Sequence, residues 1–278
     1  MTELGTQRAS TGIAGLDRML DGGLIPGRPY IVSGASGSGR TTLAIQFLQQ
    51  GVKVGERALL VAVDEPPIEI RENMRALGWD VGKIRILDVH PAAKAYSKKV
   101  SLVEVAAQKS VSALMEASGA TREKAEALKK VSPDLSLPSL QLMLKQELRE
   151  VRYSRLAIDS LTSIKRLAGP EEDLSLGIVS LLRFLSESDV TSILVTEQPD
   201  PGRLDPETFI SRGEIRLHKM MVGAKLERYV TVEKFRGSSH DTMPRPLTIT
   251  DKGIEVDTGR KISKAALKAL QESTSTSR

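Results

Sequence analysis

The chain has 278 residues, 40 Lys and Arg against 35 Asp and Glu, 3% aromatic residues and no cysteine, which excludes disulfides, zinc-thiolate sites and thiol chemistry. With only His90, His218 and His240 available, a histidine-rich metal site is not expected either. There is no charged-then-apolar leader and no apolar run of about 18 residues, so the chain reads as cytoplasmic with no membrane insertion.

A net charge of +5 would suit a nucleic-acid partner, but its distribution argues otherwise. From Gly259 onward, Arg260, Lys261, Lys264, Lys268 and Arg278 stand against Glu272, so the tail supplies four of the five charges. The rest of the chain is almost neutral. The tail's low hydrophobicity predicts disorder over 259–278 beyond a short helix at 262–270, as a solvated extension.

The first predicted strand covers residues 30–32, with Pro29 tolerable at its start. It runs into Gly34, Ala35, Ser36, Gly37, Ser38, Gly39, Arg40, Thr41 and Thr42, a phosphate-binding P-loop with arginine where the pattern asks for lysine. Glycines let backbone N–H groups turn inward around phosphate oxygens, and a helix start adds positive dipole there. Leu43, Ala44, Phe47 and Leu48 recur at helical spacing after the loop. The motif therefore predicts a bound nucleoside triphosphate, with the Thr41 hydroxyl on a magnesium ion and Thr42 as a further phosphate donor.

A second strand, 58–63, ends in Asp64 and Glu65 ahead of Pro66 and Pro67. A carboxylate at a strand end can orient and deprotonate a water for attack on a γ-phosphate. The alternative is that one acid merely caps the helix predicted at 68–77, which opens with those prolines. A strand at 84–89 follows, then a polar Ala-Lys-Glu-rich stretch at 101–133 that reads as a helical surface insertion. Next come a helix at 140–151 with Ser139 as its N-cap, and a strand at 155–159 ending in Asp159. A carboxylate at that point of a P-loop protein holds magnesium, often through water. A helix at 174–187 and a strand at 191–196 complete an alternation that means a parallel sheet flanked by helices.

From Glu214 onward, strands at 215–221, 229–235, 247–250 and 254–256 are separated by short turns, so the sheet is expected to finish antiparallel. Lys234 and Arg236 lie on one face of a strand, since alternate residues share a face. They suit either phosphate neutralisation or a charged edge that discourages aggregation. One α/β domain is expected over residues 9–258, after an N-terminal tail at 1–8.

The segments Ser10-Thr11-Gly12-Ile13-Ala14-Gly15-Leu16-Asp17 and Gly22-Gly23-Leu24-Ile25-Pro26-Gly27, the P-loop, and Gln46-Phe47-Leu48 occur in that order. Asp64-Glu65, Ile158-Asp159-Ser160, Lys234-Phe235-Arg236-Gly237 with His240, and Ile249-Thr250-Asp251 follow. Together they resemble a single KaiC-like domain of the RecA superfamily. The resemblance implies a RecA-like core and an ATPase that binds ATP and Mg2+ between subunits of a homo-oligomer, usually a hexameric ring. It also implies that Lys234, Arg236 and His240 reach the nucleotide of the adjacent subunit, while the P-loop, Asp64, Glu65 and Asp159 act on their own.

Two positions depart from the family. Arg40 replaces the P-loop lysine with a bulkier, planar cation, and Asp64 stands where a glutamate is usual, about 1.5 Å shorter in reach. The sequence reading is therefore a regulatory ATPase with slowed hydrolysis and an unidentified protein partner. A recombinase paralogue is the main alternative, and its channel-facing loops are assigned here to the stretches after Asp159 and from Glu197 to Glu207. The latter holds Glu197, Asp200, Asp205 and Glu207 against Arg203, which repels nucleic acid. A non-hydrolysing ATP-binding scaffold, and autophosphorylation at Thr208 or Ser211, are the other readings.

Overall fold

Along each central strand, successive side chains enter different cores. Tyr30 and Val32 pack on one face of the sheet while Ile31 packs on the other, and Leu60 and Ala62 are separated from Leu59 and Val61 in the same way. A strand buried on both faces reads as an unbroken apolar run, and this is why these segments were visible in the sequence. The first core packs against the helix that follows the P-loop, through Leu43, Ala44, Phe47 and Leu48. The second holds Leu140, Leu144, Leu181 and Leu185.

The computed structural model describes residues 8–90, 136–167, 171–197 and 206–275. The insertion expected at 101–133, nearly all of the N-terminal tail and the stretch 198–205 lie outside them. In chain order the elements are α1 (Ala14–Met19), β1 (Pro29–Gly34), α2 (Arg40–Lys53), β2 (Ala58–Ala62), α3 (Pro67–Ala76) and β3 (Arg85–Asp88). Then come α4 (Leu137–Glu150), β4 (Arg155–Asp159), α5 (Leu161–Leu167), α6 (Glu171–Glu187), β5 (Thr191–Glu197) and α7 (Pro206–Ile210). The last are β6 (Gly213–Val222), β7 (Lys225–Phe235), β8 (Arg245–Thr250), β9 (Gly253–Val256) and α8 (Lys264–Ser275).

The strands form one sheet in the order β3-β2-β4-β5-β1-β6-β7-β8-β9. Pairing is parallel from β3 through β6 and antiparallel from β6 through β9, the mainly parallel α/β architecture expected. Because β1, β2, β4 and β5 run together, their carboxyl ends Gly34, Ala62, Asp159 and Glu197 fall at one edge of the sheet. In register, Gly34 faces Glu197 and Ala62 faces Asp159. Open parallel sheets bind ligands at this edge.

Several boundaries differ from expectation. The N-cap of α4 is Ser136, not Ser139; Ser139 is the third helical residue and completes a reciprocal capping box with Ser136. The helix begins earlier because Leu137 is buried and Pro138 is compatible with a first turn. The basic tail carries α8, longer than the short helix predicted, with Ala266 and Leu270 buried. The short helices α1, α5 and α7 had no periodic signal long enough to read.

Candidate functional site

The P-loop wraps tightly around the start of α2. Gly39 is the N-cap, with a left-handed φ of 108° and no side-chain cap, so the first-turn N–H groups of α2 are not covered by a capping side chain. Gly34 is buried where a Cβ would lie 2.4 Å from the Leu217 carbonyl oxygen, a close approach that only glycine allows. Inside the loop, Ser38 Oγ is fully buried and has no hydrogen-bond partner. A buried hydroxyl without a partner inside the loop is consistent with a site that receives a polar ligand.

Thr41, in the first turn of α2, lies beside Asp159 at the end of β4, close enough for its hydroxyl to favour the ionised carboxylate. Burial is the main force raising the Asp159 pKa, with Asp64 and Glu65 adding to it and Thr41 and Arg40 opposing, to a result of about 6. A half-buried carboxylate beside a hydroxyl, held above its ordinary range, is a group that a cation would stabilise in its ionised form. Magnesium takes few protein oxygens and keeps phosphate and water ligands, so Thr41 with Asp159 fits it. No cluster of three or more His, Cys, Asp or Glu side chains suited to a metal occurs among the described residues.

Asp64 and Glu65 follow β2 at the same edge and are both exposed. Ser160 Oγ donates to Asp64 Oδ2 at 2.8 Å, and Asn73 Nδ2 donates to Glu65 Oε2 at 3.3 Å. Neither acid caps α3, whose N-cap is Pro66 without any side-chain bond. The carboxylates therefore stand beside Asp159 at the sheet edge, available to a water there.

Arg40 is folded against the end of β5. Its Nη2 lies 3.2 Å from Glu197 Oε1, and Arg166 Nη2 lies 3.1 Å from Glu197 Oε2. Glu197, one of the acids of the stretch from Glu197 to Glu207, is thus paired with Arg40 of the P-loop and with Arg166. Glu207, counted with them, is wholly buried and paired with Lys165. On the other side of the loop, Lys219 Nζ donates to the Ser36 carbonyl at 2.7 Å and Arg228 donates twice to the Gly37 carbonyl at 3.1 Å. These two cations brace the loop from β6 and β7. The sequence had no signal for either, because they belong to strands far from the motif.

Lys234, Arg236 and His240 lie elsewhere. Phe235 faces Gly213, and Gly213 faces Tyr30, so the end of β7 is at the amino end of β1, four residues before Gly34. At strand rise, that puts them about 13 Å or more along the sheet from the P-loop. Lys234 Nζ donates to the carbonyls of Thr208 and Phe209, and Arg236 Nη2 donates to that of Phe209 at 3.3 Å. Burial, then the neighbouring Arg236, hold the Lys234 pKa below its ordinary value, as expected of crowded cations that favour an anion. Thr208 and Ser211 are buried, so neither hydroxyl is presented for phosphorylation.

A family model described as the KaiC ATPase matches residues 9–261. The chain is 32% identical over 256 residues to a UPF0273 protein of Pyrococcus horikoshii, covering 90% of this chain and 94% of that one. It is 30% identical over 263 residues to a circadian clock oscillator protein KaiC of Parathermosynechococcus lividus. That match takes in 91% of this chain but 42% of the clock protein, so the chain spans less than half of it. A solved KaiC-like protein of Pyrococcus horikoshii has the same fold, with a TM-score of 0.70 at 27% identity over 91% of this chain and 99% of the other.

Proposed function

The chain belongs to the KaiC family of ATPases, and from that premise we propose that it is a slow, magnesium-dependent ATPase whose active site is shared between adjacent copies. The P-loop N–H groups and the start of α2 bind the triphosphate, with Thr42 as a further donor. Thr41 and Asp159 hold the magnesium ion, which when bound neutralises charge on the phosphates. Asp64 and Glu65 orient a water and take its proton. Lys234, Arg236 and His240 of one copy stabilise charge on the nucleotide of the next.

The observation that carries this reading is the division of the motif residues between two edges of one sheet. Thr41, Asp159, Asp64 and Glu65 gather at the carboxyl edge, while Lys234 and Arg236 stand at the other. No single chain brings both sets to one phosphate. Head-to-tail packing does, and repeated with closure it generates a ring. Bound ATP then acts as an assembly ligand, stabilising the ring or a partner-binding surface. The exchanged Arg40 and the short Asp64 leave the loop able to bind ATP and slow the chemistry, because both spare the glycine cradle and disturb positioning.

Mass measurement combined with turnover, with and without ATP and magnesium, tests the reading. An oligomer promoted by nucleotide, whose turnover rises with assembly, is expected. A demonstrably monomeric sample hydrolysing at the full rate would refute a shared site, and an Arg40→Lys variant no faster at equal ATP occupancy would refute attenuation by Arg40.

A further inference from the structure

Glu197 occupies an unusual place for a carboxylate. It ends β5 directly opposite Gly34, the first residue of the P-loop, and one of its oxygens is on Arg40 at 3.2 Å. The site is built, since the Glu197 N–H donates to Thr162 Oγ1 at 2.6 Å and Thr162 also bonds Thr196. The second oxygen is held by Arg166 of α5 at 3.1 Å. The Arg40 side chain is 12% exposed and that of Glu197 is 29% exposed, so water screens this contact only in part.

A triphosphate in the loop and the Glu197 carboxylate carry the same sign and compete for one guanidinium. Resting on the reading that the loop binds ATP, we propose that Glu197 is a positioning residue that latches Arg40 away from the phosphates, and that nucleotide must displace it. The pairing gives the arginine substitution a role that a lysine would fill poorly. A planar fork can leave a carboxylate for a phosphate one N–H at a time, whereas an ammonium is a single point charge. The latch lowers the affinity of the loop for ATP and ties release of Glu197 to the arrival of ligand.

The test is a double-mutant cycle read by nucleotide affinity, using the non-hydrolysable analogue AMP-PNP with magnesium on the full chain. Glu197→Gln keeps the size of the side chain and removes its charge. It is expected to tighten AMP-PNP binding by about three- to tenfold, and by less than about twofold in an Arg40→Ala background. A purely structural role for Glu197 would give the same change in both backgrounds and a lowered melting temperature, and that result overturns the latch. So does weaker binding by the Glu197→Gln chain, which would mean that Glu197 aims Arg40 at the phosphates. If the unaltered chain binds no AMP-PNP, the nucleotide reading itself falls; if it binds and Glu197→Gln changes nothing, only the latch falls.

Discussion

The Ser160 hydroxyl donates to Asp64 Oδ2 at 2.8 Å, so the carboxylate after β2 is held by the residue that immediately follows β4. Asp64 and Glu65 then differ in setting, since Glu65 is met by the Asn73 amide of α3. A general base contributes about 10²- to 10⁴-fold to a rate while adding little to ground-state binding. Asp64→Asn and Glu65→Gln are each expected to lower ATP turnover within that range and to leave ATP affinity within about twofold. Steady-state turnover alongside equilibrium binding checks this. Unchanged turnover in both variants would remove the acids from the chemistry.

Complementation between two inactive variants tests the shared site more directly than either variant alone. Arg236→Ala removes a cation from the far edge, and Thr41→Ala removes the hydroxyl beside Asp159; each chain is expected to be inactive by itself. Random co-assembly creates interfaces with an intact P-loop on one side and an intact Arg236 on the other, so about a quarter of the sites recover. ATP turnover after mixing and reassembly measures this. Mixtures no more active than their parents would mean that both residues serve the same subunit's nucleotide.

Much of this arrangement was legible in the sequence for a physical reason. Strands buried on both faces leave continuous apolar runs, and the P-loop, Asp64 and Asp159 stand at the ends of those runs. Glu197, Lys219 and Arg228 were not legible as parts of the site. Their contacts to the P-loop join residues 157, 183 and 191 positions apart, and pairing at such range has no local signature. Arg155 was equally hidden. It opens β4 as a charged residue and yet is only 2% exposed.

The Arg155 guanidinium is satisfied inside the fold. It donates to the carbonyls of Ser10 and Phe47 at 2.6 and 2.8 Å, pairs with Glu56, and stacks 4.7 Å over the Phe47 ring. Those contacts tie β4 to the start of the domain and to α2, which carries Thr41. Glu56 is 34% exposed and can turn to water, but removing Arg155 leaves the Ser10 and Phe47 carbonyls without their donor, at a cost of about 3 kcal/mol in all. Arg155→Ala is expected to lower the melting temperature by roughly 6 to 12 °C for a chain of this size. A change within about 2 °C in differential scanning calorimetry would show that these carbonyls find other donors.

Asp159 links stability to pH through the carboxylate proposed to hold magnesium. Its pKa of about 6, raised chiefly by burial, lies above the ordinary 3.8. A raised carboxylate pKa means that folding favours the protonated form. The stabilisation is complete below about pH 4 and is lost as pH rises through about 6, on the order of 3 kcal/mol in all. Without magnesium, about 2 kcal/mol of this is lost between pH 4.5 and 7.5, so the melting temperature of the unaltered chain relative to Asp159→Asn is expected to fall by roughly 4 to 8 °C over that range. Magnesium with ATP reverses the trend, because it binds the ionised carboxylate and competes with the proton. Affinity for magnesium and ATP accordingly weakens as pH drops below about 6, and Asp159→Asn removes that dependence. A melting difference that stays flat with pH would mean that Asp159 is ionised throughout, held by Thr41 and Arg40 strongly enough to outweigh its burial.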